Sequence, residues 1–176
     1  MCESEERYMK ATPTAKFGMI VWECSAHDLK TELIEQLEKV AAAYAAATGE
    51  PLRVLSGRRT LQRQAELMAG MNDTQLLGLY ARQGTPDYIT CILKLRAGGL
   101  APTAAQLLDI LRQRKEGFVS SHLFGAAVDL APDCADLGLL KSLLRGHGFG
   151  ILDERDQGLN CLHARCLACP DEIIRD

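Results

Sequence analysis

His122 and Asp129 stand seven positions apart in the run Ser120-Ser121-His122-Leu123-Phe124-Gly125-Ala126-Ala127-Val128-Asp129, with a glycine between them that lets the chain turn closely. An imidazole and a carboxylate at the mouth and end of one turn are two metal ligands of different hardness. His163, in Asn160-Cys161-Leu162-His163-Ala164-Arg165, is a third candidate, and a His, Asp, His set leaves one corner of a tetrahedral zinc open for water. An open site is catalytic in kind, because the ion lowers the pKa of its bound water to roughly 7 and polarises a carbonyl, as peptide hydrolysis requires. The same spacing also fits a satisfied core histidine and a surface aspartate that caps a turn. His27 and His147 read as residues of a helix start and of a glycine-flanked turn, and neither is assigned a role.

A rival arrangement competes for His163. Cys161-x-His163-x-x-Cys166-x-x-Cys169 puts four soft ligands into nine residues, as a closed structural zinc would want. Closed sites usually draw ligand pairs from separated segments, however, and a strand that puts Cys161 and His163 on one face points Cys166 to the other. Cys166-Leu167-Ala168-Cys169 also lacks the βαβ context of a thioredoxin-like redox pair. Buried or idle thiols are the favoured account.

These residues need elements to hold them. Phe17 to Trp22 is apolar enough for a strand, and Ser25 with Asp28 resembles a capping box before Leu29, Leu33, Leu37, Val40 and Tyr44, which recur at helical spacing until Gly49 and Pro51. Leu52 to Leu55 reads as a short buried strand, and Thr60 as the cap of a second helix ending near Gly70. Met71 to Gly99 is left undecided, with a helical piece at Leu76, Leu77, Leu79 and Tyr80 and either strand or helix at Tyr88 to Leu95. Thr103 and Gln106 form a capping box for a third helix, with a charged tail to Gly117. A strand at Ala126 to Ala131, a helix through Leu137, Leu140, Leu143 and Leu144, and two strands at Phe149 to Leu152 and roughly 160–165 complete the pattern. Helices and short strands mix without a regular βαβ rhythm, so the fold class is α+β. Residues 1–16 read as a flexible lead and 17–176 as a single domain.

The composition agrees with one domain of this kind. Of the 176 residues 47% are apolar and 24% charged, and a chain of this length buries enough surface to hold a core without staples. Twenty Lys and Arg against 23 Asp and Glu give a net charge of −3, which lacks the basic footprint of a nucleic-acid binder. No apolar run reaches the ~18 residues a membrane span needs. The N-terminus has no basic start followed by an apolar stretch, and the seven cysteines are odd in number and irregularly spaced. A cytoplasmic location is therefore the default expectation, with a phage-encoded protein or release by a route other than the general secretory one left open.

Beyond the residues themselves, Ser56-Gly57-Arg58-Arg59-Thr60-Leu61-Gln62-Arg63-Gln64-Ala65-Glu66-Leu67 resembles the SGYRS-x-x-x-QAEL segment of the zinc D-alanyl-D-alanine carboxypeptidase family. The His122 to Asp129 run resembles that family's SxHxxGxAxD, and Leu162-His163-Ala164-Arg165 resembles its ExWHxR at the His and the Arg. The resemblance implies an α+β fold shared with hedgehog signalling domains, a small antiparallel sheet carrying the ligands with helices packed on it. It implies Zn2+ held by His122, Asp129 and His163, and Arg59 steadying the substrate carbonyl or its oxyanion, a task suited to a planar, permanently charged fork of donors. Ser120 matches the serine two positions before the first ligand, which can bond the substrate or a neighbouring loop, and Gln64 is implied to be structural.

The departures bear on activity. Where the family has its general base, three residues before the last His, this chain has Asn160, which cannot accept and return a proton. Glu154 and Asp156, in Asp153-Glu154-Arg155-Asp156, are the substitute bases, and an ordinary solvated charge run is the competing reading. Leu162 replaces the family Trp and Arg58 the Tyr. The expectation is a zinc-dependent metallopeptidase that cleaves bacterial cell-wall (peptidoglycan) peptides or a D-Ala-containing dipeptide, as a D-alanyl carboxypeptidase or endopeptidase. The alternative is a zinc-binding pseudoenzyme or structural module that binds a peptide or protein partner without hydrolysis.

Overall fold

The computed structural model describes residues 18–26, 28–115 and 118–175. The lead expected at 1–16, the strand start at Phe17, His27 and the end of the charged tail at Gly117 lie outside them. Among the described residues, strands β1 (Ile20–Trp22), β2 (Leu52–Ser56), β3 (Ala127–Leu130), β4 (Phe149–Asp153) and β5 (Leu162–Cys166) form one sheet in the order β1-β2-β3-β5-β4. The helices are α1 (Thr31–Thr48), α2 (Leu61–Gly70), α3 (Asp73–Tyr80), α4 (Asp87–Ala97), α5 (Ala104–Gln113) and α6 (Leu137–Gly146). The class is α+β, as expected.

The sheet is mixed, which corrects the expectation of an antiparallel one. β1 runs parallel to β2, while β2, β3, β5 and β4 pair antiparallel. The reason is local: α1 lies between β1 and β2, and a helical crossover brings the chain back in the same direction. α1 buries the face predicted by its spacing, Leu33, Leu37, Val40 and Tyr44, with Ala41 added, and Gly49 ends it in the left-handed region at φ 78°. Its start differs. The helix begins at Thr31 after Lys30, with no side-chain cap, because Asp28 takes φ 65° and cannot occupy a helix's first turn.

α2 is capped by Thr60, whose hydroxyl accepts from Arg63 N, and α5 by Thr103 in the predicted capping box. The undecided stretch resolves into α3 and α4. α3 opens on a second capping box, with Gln75 N donating to Asn72 Oδ1 at 2.9 Å and Asn72 N donating to Gln75 Oε1 at 3.0 Å. α1 and α6 pack on each other and on the sheet, while α2 to α5 pack among themselves and α3 touches the turn at residues 154–157. Side chains alternate along β5: Leu162, Ala164 and Cys166 are buried in the core, whereas His163 and Arg165 line a cleft on the other face.

Gly125 closes the 3-10 turn Ser121–Phe124 that leads into β3, and it sits at φ 73° with its carbonyl accepting from Lys30 N at 2.9 Å. A Cβ there would stand 2.2 Å from the backbone oxygen of Asp28. Gly125→Ala therefore combines a left-handed penalty with a clash against rigid backbone, and should destabilise the fold by about 3 kcal/mol in urea unfolding. A change below about 1 kcal/mol would mean that this turn does not lock the loop before α1.

Candidate metal centre

Antiparallel pairing lines up one row of side chains across four strands. Ser56 pairs with Asp129, Asp129 with His163, and His163 with Leu152, and all four line a cleft of about 1310 Å³. The row exists because β2 carries a bulge. Val54 pairs with Leu130 and Ser56 with the adjacent Asp129, so Leu55 is an extra residue that re-aims the end of the strand. The loop Gly57-Arg58-Arg59 then folds over the turn that carries His122: Arg59 N donates to His122 O at 3.1 Å, and Arg58 Nε to Leu123 O at 3.4 Å.

The three candidate ligands come together. His122 Nε2, Asp129 Oδ1 and His163 Nδ1 form a triangle with every side 3.1 Å. His122 is 2% exposed and donates its Nδ1 proton to the Gly57 carbonyl at 2.7 Å. Burial pulls its pKa down against the pull of Asp129, so the ring is neutral and Nε2 offers a lone pair. Burial works against the charge of Asp129, but His122 and His163 beside it outweigh that and hold the carboxyl well below its usual range. Two imidazole nitrogens and a carboxylate oxygen thus converge on one point. A tetrahedral zinc with bonds of about 2.0 to 2.1 Å has ligand-to-ligand edges of about 3.3 Å, so this donor set fits the ion in kind and in size.

Supporting bonds orient the ligands as metal sites require. Asp129 uses Oδ1 in the triangle and accepts from Arg59 Nη2 at 2.8 Å through Oδ2, and the same Nη2 reaches Ser56 Oγ at 3.2 Å. Arg59 is therefore joined to a ligand, a partner its assigned role as substrate clamp did not foresee. Nε and Nη1 make no hydrogen bond among the described residues, and the side chain lines the cleft. Ser120 also lines the cleft and caps the 3-10 turn, its Oγ accepting from His122 N at 3.4 Å.

Of the two acids named as substitute bases, the structure brings in one. Glu154 lines the cleft, and burial, then the charge of Asp129, push its pKa up, with His163 pulling the other way. Asp156 is exposed and lies outside the lining. Asn160 stands exposed on the rim. The four-residue cysteine and histidine set is not assembled: Cys166 and Cys169 are buried in the core, and β5 turns His163 away from them.

Cys161 is not idle. It donates from Sγ to Glu154 Oε2 at 3.2 Å, and burial raises its pKa, so it stays a thiol. Asp129, Glu154 and Cys161 form a second group close enough to share an ion among the described residues. The two groups share Asp129, and Arg59 stands 2.8 Å from it. Sequence reasoning also missed Tyr80, which lines the cleft from the end of α3. Nothing in the motif spacing marks it.

No helix of the described residues is long and apolar enough to cross a membrane. Compared with known proteins, the chain matches no family model, no curated protein and no solved structure, which leaves the chemistry of the cleft to carry the functional reading.

Proposed function

We propose that this chain is a zinc-dependent peptidase acting on bacterial cell-wall peptides at a bond next to D-alanine. The observation that carries the reading is the 3.1 Å triangle of His122 Nε2, Asp129 Oδ1 and His163 Nδ1 on the floor of an open cleft, with the carboxylate of Glu154 on its wall. The order and spacing of the three motif segments support the substrate class. A bound zinc would supply Lewis acidity, activating a water and polarising the scissile carbonyl.

The protein's own groups do the rest. Glu154 takes a proton from the attacking water and returns it to the leaving amine, a task that favours a carboxyl whose pKa is raised toward the working pH. Cys161 holds one oxygen of that carboxylate and leaves the other free. Arg59 keeps Asp129 single-toothed and offers its remaining donors to developing negative charge. The cleft is wide enough for several peptide residues, which suits a carboxypeptidase or an endopeptidase.

The test is a zinc titration followed by a product assay. The purified, reduced protein should bind one zinc per chain, and the loaded form should release D-alanine from a D-alanyl-D-alanine pentapeptide, read by mass spectrometry. Failure to bind zinc removes the metal site. One bound zinc with no cleavage of wall peptides of any length favours the second reading, a zinc-bearing peptide binder, which Asn160 at the family's base position supports.

A further inference from the structure

α3 contributes nothing to the metal triangle, yet its last residue, Tyr80, lines the cleft. The phenol is held by α2: Gln64 Nε2 donates to Tyr80 Oη at 2.7 Å. Gln64 is fully buried, and its Oε1 has no hydrogen-bond partner among the described residues. In this bond the amide N–H is the donor and the phenol oxygen the acceptor. With Oη accepting there, the Tyr80 O–H proton remains available to another acceptor. Among the described residues no acceptor takes it, and the side chain lines the cleft.

The surroundings are those of the reaction. Arg59, Glu154 and Asp129 all lie close enough to act on the phenol electrostatically, and burial pushes its pKa up to about 12, so it remains a neutral donor. α3 is also tied to the turn that carries Glu154, since Gln75 Nε2 donates to Gln157 O at 2.9 Å. One clamp thus sets Tyr80 and Glu154 relative to each other.

Resting on the peptidase reading above, we infer that Tyr80 donates a hydrogen bond to the substrate oxygen that becomes negative as the scissile carbon turns tetrahedral, with Gln64 as its positioning residue. Tyr80 keeps its proton throughout. A donor aimed at charge that exists only in the transition state raises kcat and leaves ground-state binding alone.

The probe is a D-alanyl-D-alanine analogue whose scissile amide is replaced by a phosphinate, titrated calorimetrically into zinc-loaded protein beside kinetics on the amide peptide. Tyr80→Phe should bind the phosphinate about 10- to 100-fold more weakly and lose kcat by a similar factor, with KM unchanged. Because that variant leaves Gln64 Nε2 buried and unpaired, Tyr80→Phe combined with Gln64→Leu removes both polar groups, protects the fold and should show the same loss. Unchanged phosphinate affinity in the double variant, with wild type still cleaving, overturns the inference and spares the peptidase reading. So does an equal weakening of phosphinate and amide, which would make Tyr80 a uniform binding contact. A wild-type protein that neither binds the phosphinate nor releases D-alanine sinks both.

Discussion

His122→Ala is expected to lower zinc affinity by well over 100-fold, because groups that merely support a ligand already contribute about 10- to 100-fold each. His122 is both candidate ligand and structural anchor: one ring nitrogen joins the triangle, and the other is tied to Gly57 O at 2.7 Å. At a free zinc concentration 100 times its dissociation constant, wild type should gain about 2.7 kcal/mol of stability, and the variant none. Removing a buried ring also costs stability through the orphaned Gly57 carbonyl, on the order of 1 to 3 kcal/mol. His163→Asn separates the two effects, since its side chain is 18% exposed and its loss leaves that carbonyl paired. His147→Ala, at the end of α6, is the control and should bind zinc as wild type does. Equilibrium dialysis under reducing conditions reads all three, and stoichiometric zinc in His122→Ala would dissolve the ligand assignment.

Legibility in the sequence followed how local each interaction is. Thr60 and Thr103 as caps, the buried stripe of α1 and the turn at Gly125 depend on neighbours a few positions away, and the structure has them where the spacing put them. The Asn72 and Gln75 box is equally local; the helical piece read at Leu76, Leu77, Leu79 and Tyr80 is α3, while its cap and start were not singled out. The parallel pairing of β1 and β2 was not legible, because three residues of strand carry no direction. The same limit applies at the site. That His122, Asp129 and His163 share one point follows from the register of β3 on β5, which no spacing of 41 positions between the histidines specifies. Tyr80 escaped notice for a related reason: its place follows from a bond to Gln64 on another helix and from the cleft that it lines with distant residues.

Register also positions Glu154, the base of the proposed reaction. β4 and β5 form a hairpin in which Leu152 pairs with His163 and Asp153 with Leu162, and Glu154 N donates to Cys161 O at 3.1 Å. Side chains alternate, so Glu154 and Cys161 fall on the cleft face with His163, while Asp153 turns to Lys141 on α6. Asn160 lines the same cleft from the other arm of the hairpin, so an acid from either arm can reach it. Glu154→Gln preserves shape and an acceptor for the Cys161 thiol but cannot return a proton, so kcat should fall by about 100- to 10,000-fold. Zinc affinity should fall far less than in His122→Ala, because Glu154 is outside the triangle though its carboxylate lies near Asp129. Adding Asn160→Glu to Glu154→Gln should restore part of the lost rate. If Glu154→Gln cleaves at the wild-type rate, the proton is carried by another group. If neither variant nor wild type turns over while all bind zinc, the cleft is a binding site rather than a catalytic one.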